Sequence, residues 1–159
     1  MKPLVVILMG SKTDLSFCQK IKEAVEPFGL ETNLRIGSAH KTSTYLLDIL
    51  NEYEADPRPK VYITVAGRSN ALSGFTDGLV SAPVIACPPP GDSFGGADIY
   101  SSLRMPSGIS PAVVLEPVNA ALLAAKILAI SNSDVLENVR RYQSKQAQKI
   151  IEDDRDVNL

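Results

Sequence analysis

The chain has 159 residues, with one histidine, two cysteines and no tryptophan. Cys18 and Cys87 lie far apart, and no CxxC spacing occurs. A disulfide framework and a Cys/His zinc site are therefore not expected, and the cytoplasm is the default compartment. The formal net charge is only -2, so no basic field exists to attract nucleic acid. No apolar run approaches the length of a membrane span. The N-terminal run to Met9 is short and meets Gly10-Ser11 with no A-x-A-like site, which reads as a buried strand rather than a signal peptide. Glycine and proline are not enriched enough to suggest disorder, and no repeat or low-complexity tract occurs.

What is present is a chain that fits one domain and can bury a sizeable core. Leu4 to Met9 is a continuous apolar run rich in β-branched residues, as in a parallel strand covered on both faces. A helical pattern from Leu15 to Phe28 closes at Gly29. Glu31 to Ile36 alternates as a second strand, and Tyr45, Leu46, Ile49, Leu50 and Tyr53 follow at helical spacing. Val61 to Val65 predicts a third strand, Ala71 to Val80 a helix, Pro83 to Cys87 a fourth strand and Val113 to Leu115 a fifth. Val118 to Ile130 is an Ala/Leu-rich helix, and a less apolar helix runs from Asp134 to about Asp154. Strands alternating with helices predict a parallel sheet with right-handed crossovers. The expected architecture is a flavodoxin-like three-layer α/β/α sandwich with about five strands and a C-terminal helical extension.

Three strand-to-helix turns carry polar tips. In the first, Gly10 lets the backbone approach a ligand and can take φ > 0. Ser11 or Thr13 can cap the following helix, whose free N–H groups favour an anion, and Asp14 suits ribose hydroxyls or an amine. The alternative is an ordinary N-cap serine with a first-turn aspartate. In the second turn, His40 is the one side chain whose unperturbed pKa lies near neutrality. It sits where a strand gives way to a helix, the place where open α/β sheets bind ligands. Lys41 can neutralise a phosphate and Ser38 can donate to it; the alternative is a histidine that merely caps or packs. The third turn, Ala66 to Gly74, holds Arg68, a fork for a carboxylate or phosphate, with Gly67, Ser69 and Asn70; the alternative is a polar loop capped by Ser69. A long loop, Cys87 to Ile109, combines a triple proline with several glycines. Loops of this length in a compact domain are usually functional or contact another chain. Ile99, Leu103, Met105 and Ile109 on it need apolar cover.

These turns in this order resemble the PurE family of purine biosynthesis. The matching pieces are Met9-Gly10-Ser11 with Asp14, Ser38 to Thr42, Ala66 to Asn70, Ser101 to Gly108 and Asn119 to Ala125. The resemblance covers nearly the whole chain to about Ile130. It implies a catalytic domain over 1–130, with 131–159 as the C-terminal helix or tail of that domain; the lower apolar content of that last helix suits packing on another subunit. The family divides into a mutase, which moves a carboxylate from nitrogen to carbon on N5-carboxyaminoimidazole ribonucleotide, and a carboxylase, which adds carbon dioxide to aminoimidazole ribonucleotide (AIR). The mutase branch typically has Arg where this chain has Lys41, and a second histidine in a Gly-Gly-x-Ala-His stretch of the third turn. Here that turn reads Gly67-Arg68-Ser69-Asn70-Ala71, so the chain is similar to the carboxylase branch.

The resemblance implies that His40 is the acid/base residue and that Ser11 and Asp14 bind the ribose and phosphate region. It further implies that Ser38, Lys41, Arg68 and Ser69 hold the phosphate or neighbouring groups, without assigning which touch phosphate oxygens. Gly10 and Gly67 would give backbone access. Ala39, Ala71, Leu72 and the proline loop are candidate walls of a small carbon dioxide pocket. No P-loop or metal-ligand spacing occurs, and no metal or cofactor is expected. The implied partners are AIR, carbon dioxide and further copies of the chain, as a tetramer or octamer, with no nucleic acid and no membrane. The competing readings are the mutase, a non-catalytic nucleotide or flavin module, and a structural subunit. Against a flavin, there is no tryptophan and the aromatics do not cluster at the turns.

Overall fold

The computed structural model describes residues 1–157. Asn158 and Leu159 of the expected C-terminal extension lie outside the described residues. β1, Leu4–Met9, is apolar at every position because both its faces are covered, and no residue in it is more than 1% exposed. After it come α1 (Leu15–Val25), β2 (Glu31–Ile36), α2 (Ser43–Glu54), β3 (Lys60–Val65) and α3 (Ala71–Asp77). Next are β4 (Val84–Ala86), α4 (Tyr100–Leu103), β5 (Ala112–Val113), α5 (Pro117–Ala129) and α6 (Ser133–Val157). The five strands are parallel in the order β2-β1-β3-β4-β5, the flavodoxin-like order.

The period of two along β1 divides the core between the faces. Val5, Ile7 and Met9 pack with α1, α5 and the start of α6, while Leu4, Val6 and Leu8 pack with α2 and α3. Deleting one of these side chains, as in Ile7→Ala, costs about 2–5 kcal/mol by the usual core scale. Gly29 ends the segment after α1 with a left-handed φ of 71°, the role expected for it.

Some boundaries differ from the sequence expectation. α3 stops at Asp77 rather than Val80, just before Gly78. β5 comprises Ala112 and Val113 only, and Leu115 is 52% exposed. The first turns of the last helix pack on their own chain. They bury Val135 and Val139, Tyr142 packs its ring 5.2 Å from Phe28, and Asn138 Nδ2 donates to the Phe28 carbonyl at 3.1 Å. Every residue from Gln143 to Val157 is exposed.

At the amino ends of the strands the charges are paired. Arg58 binds Asp56 at 2.7 Å and Glu31 at 2.9 Å. Glu54 accepts from the Tyr62 hydroxyl at 2.9 Å and from both the backbone and the hydroxyl of Ser81.

Candidate active site

The first three turns meet because their strands are neighbours, and backbone hydrogen bonds continue past the ladder to join them. Gly37 N–H donates to the Met9 carbonyl and Gly10 N–H to the Val65 carbonyl, each at 3.0 Å. The turns after β2, β1 and β3 therefore form one contiguous edge at the carboxyl ends of the strands, where such sheets bind ligands.

In the turn after β1, Ser11 caps a single 3-10 turn, Lys12–Asp14, by accepting from Thr13 N–H at 3.3 Å. The Thr13 hydroxyl also donates to Ser11 Oγ at 3.0 Å, so Ser11 accepts in both bonds. Asp14 is half-buried at the start of α1. Burial pushes its carboxyl above the ordinary range, opposed by a hydrogen bond from the Ser11 backbone. Gly10 does not use the positive φ that glycine permits, since that conformation occurs at Gly29, Gly95, Gly96 and Gly108. A Cβ built on Gly10 would meet only Ala66 Cβ at 3.6 Å and the Val65 carbonyl at 3.9 Å. Folding alone does not demand a glycine at Gly10, which fits a residue kept small for an incoming ligand.

The turn after β2 closes on itself. Ser38 N–H donates to Thr42 Oγ1 at 2.9 Å, Thr42 N–H donates to the Ser38 carbonyl at 3.0 Å, and Lys41 N–H donates to Ser38 Oγ at 3.2 Å. These bonds fix the backbone and leave His40 and Lys41 exposed at its tip. Among the described residues neither side chain has a hydrogen-bond or ion-pair partner.

The turn after β3 departs most from the sequence reading. Arg68 adopts a left-handed φ of 60°, an uncommon conformation for a bulky residue. The helix cap is Asn70 rather than Ser69: its Oδ1 accepts from Ser73 N–H at 3.2 Å, and its Nδ2 donates to Ser102 Oγ at 2.9 Å. Ser69 is exposed. The long loop folds onto this turn, with Asp98 Oδ2 accepting from Arg68 N–H at 3.2 Å and Ser101 Oγ from Asn70 N–H at 3.0 Å. The Arg68 guanidinium has no partner among the described residues.

Beside this edge lies a cavity of about 960 Å³, lined by Ala66 and Gly67, the proline loop from Pro88 to Gly91, Asp98, Phe17 on α1 and the start of α5. The proline loop and Gly67 wall this cavity. Ala39, Ala71 and Leu72 are not among its lining, and Leu72 is buried in the core. Ile99 lines the cavity, Met105 and Ile109 pack on α3 at Gly74 and Gly78, and Leu103 stays 52% exposed. Asn70, Asp98 and Ser101, which order the third turn, were legible only as members of polar loops.

The family described as AIR carboxylase matches residues 4–149. The chain is 62% identical over 154 residues to the phosphoribosylaminoimidazole carboxylase of Treponema denticola, covering 97% of each. This chain belongs to the AIR carboxylase family. It is also 51% identical to the phosphoribosylaminoimidazole carboxylase of Archaeoglobus fulgidus, over 96% of this chain and 83% of that one. The bifunctional phosphoribosylaminoimidazole carboxylase/phosphoribosylaminoimidazole succinocarboxamide synthetase of Mus musculus is 46% identical over 86% of this chain, which spans 32% of that longer protein. The crystal structure of Treponema denticola PurE superposes with a TM-score of 0.97 at 59% identity, covering 99% of this chain and 100% of that one. The family membership and the fold both agree with the resemblance seen in the turns.

In this AIR carboxylase family member the cysteines are poor candidates for covalent chemistry. Both are fully buried, and burial pushes each thiol up to about 12. Among the described residues no group of three or more His, Cys, Asp or Glu could hold a metal ion, and no helix is long and apolar enough to cross a membrane.

Proposed function

We propose that this chain carboxylates AIR with carbon dioxide to give the 4-carboxy ribonucleotide, a step of purine biosynthesis, with His40 as the acid/base residue. The observation that carries the reading is the joined edge: His40 and Lys41 on the turn after β2 and Arg68 on the turn after β3 have no side-chain partner among the described residues, and backbone bonds stitch both turns to the one after β1.

The aminoimidazole ring is an enamine, so its ring carbon is nucleophilic. It attacks the carbon of carbon dioxide; the new C–C bond forms as one C=O π pair moves to oxygen. The ring carbon then carries both the carboxylate and a proton. His40 takes that proton as general base, and the electron pair restores the aromatic ring. Fixed donors stabilise the charged product. Lys41 and Arg68, with Ser38 and Ser69, hold the phosphate end as complementary charge and hydroxyl donors. Ser11 donates to the ribose and phosphate region and Asp14 accepts from hydroxyls there, with Gly10 and Gly67 admitting the ligand close to the backbone.

The same reading places the protein in the cytoplasm as a homo-oligomer, a tetramer or octamer. Assembly is supported by the far half of α6, where Ile150 is 68% and Ile151 47% exposed, apolar surface that suits a second copy. The test is an assay pair: AIR with bicarbonate and carbon dioxide in one arm, N5-carboxyaminoimidazole ribonucleotide without them in the other. Product in the first arm is expected. Turnover in the second arm alone overturns the carboxylase in favour of the mutase.

A further inference from the structure

The strained backbone at Arg68 has an identifiable cause. A left-handed arginine persists only where its surroundings hold it there, and two groups of the long loop do so. Asp98 Oδ2 accepts from Arg68 N–H at 3.2 Å. Ser101 Oγ lies 2.7 Å from the Asp98 carbonyl and 3.3 Å from the Arg68 carbonyl, and it accepts from Asn70 N–H at 3.0 Å. Asn70 in turn binds Ser102 and caps α3. One side of the third turn is thus fastened to residues about thirty positions later.

Gly91 explains how the carboxylate reaches its place. Its φ is not left-handed, so its conformation does not require glycine. Its space bears on Asp98: a Cβ there would lie 2.7 Å from Asp98 Oδ2 and 3.5 Å from Asp98 Cγ, so any side chain at this position would turn the carboxylate aside. The carboxylate sits in the room that the missing side chain leaves. Ser38 and Thr42 close the second turn from within, whereas the third turn borrows its order from the loop.

We propose that Asp98, seated against Gly91, is a positioning residue that holds the Arg68 turn in its left-handed form and so aims the guanidinium at the substrate's anionic group. The proposal rests on the AIR carboxylase reading. In this role Asp98 acts through the Arg68 backbone, to which its carboxylate is bonded. Without the carboxylate the turn relaxes to an ordinary φ and the side chain leaves its direction. A displaced binding group acts on substrate affinity more than on the chemical step.

The experiment uses the full chain as wild type, Asp98→Ala, Asp98→Asn, Gly91→Ala and the Gly91→Ala/Asp98→Ala double variant. Two readouts are taken: steady-state kinetics with AIR, and the rate of tryptic cleavage after Arg68, located by mass spectrometry. Asp98→Ala is expected to raise KM for AIR about tenfold with kcat within about threefold, and to speed cleavage after Arg68 by a similar factor. Asp98→Asn keeps an acceptor oxygen and returns both values most of the way to wild type, including where Asp98→Ala proves too unstable to assay. Gly91→Ala turns the carboxylate aside and reproduces Asp98→Ala, and the double variant is no worse than the single one, because both act on one contact. Wild-type KM or unchanged cleavage in Asp98→Ala overturns the proposal, as do additive effects in the double variant. A wild-type protein that does not carboxylate AIR overturns the functional reading instead, and the cleavage rates then judge the clamp alone.

Discussion

At the amino ends of the strands Arg58 is held by Asp56 and Glu31, and Glu54 by Tyr62 and Ser81. At the carboxyl ends His40, Lys41 and Arg68 have no side-chain partner among the described residues. Both edges belong to the same sheet and both carry charged side chains. They differ in whether the chain spends its charges on itself. Paired groups tie the ends of elements together, so substitution at the amino edge should register as lost stability. Unpaired, exposed cations contribute little to folding, so substitution at the carboxyl edge should register as lost function with the fold intact.

The largest expected effect is at His40. His40→Asn should lower kcat by about a hundredfold to ten-thousandfold, the usual share of a general base, while AIR binding and Tm stay near wild type. Steady-state kinetics with a binding titration and a melting curve check this. A variant that carboxylates normally would remove His40 from the mechanism and break the contrast at its most informative residue.

The opposite pattern is expected at Arg58. Arg58→Ala should leave kcat and KM unchanged and lower Tm by about 2–4 °C at neutral pH. The sign of its pH dependence follows from Asp56, whose carboxyl is held down to about 2, from an ordinary value of 3.8, chiefly by the hydrogen bond from Arg58. A depressed carboxyl adds stability that is fully present above about pH 4 and disappears as pH falls through 2. The Tm gap between wild type and variant should therefore narrow in acid, and a gap that widens there would refute the pairing.

The smallest effect sharpens the comparison at Asp14, a carboxylate of the functional edge. Burial raises its folded pKa, so its contribution favours folding at acid pH and is lost as pH rises through the raised value. Asp14→Asn should then raise Tm at neutral pH by about 1–3 °C while weakening AIR binding. Thermal melts across pH check it, and a Tm that falls at neutral pH would show that Asp14 serves the fold.

Much of this was legible in the sequence. β1 reads as Leu4–Met9 because two covered faces demand an unbroken apolar run; β2 reads as Glu31–Ile36 from its sequence pattern, although as an edge strand it is half-buried along its middle with no alternation of burial. The three polar turns were visible because the βα alternation places each of them between the end of a parallel strand and the next helix. The end of α3, the reach of β5 and the Asn70 cap were not, since several residues in each stretch satisfy the same local preference and packing chooses among them. The left-handed Arg68 had no local signal at all. Arginine gives no sign of positive φ, and the group that holds it, Asp98, is distant in sequence and arrives only when the loop folds back.

The central claim is that the carboxyl-edge cations are unpaired because they are reserved for the substrate's anionic groups. The most direct measurement is calorimetric titration of AIR into His40→Asn, with and without Lys41→Gln and Arg68→Gln added. The account predicts that His40→Asn binds AIR about as tightly as wild type and that removing both cations weakens binding at least about tenfold, with Tm unchanged. AIR affinity that survives the loss of both cations would contradict it.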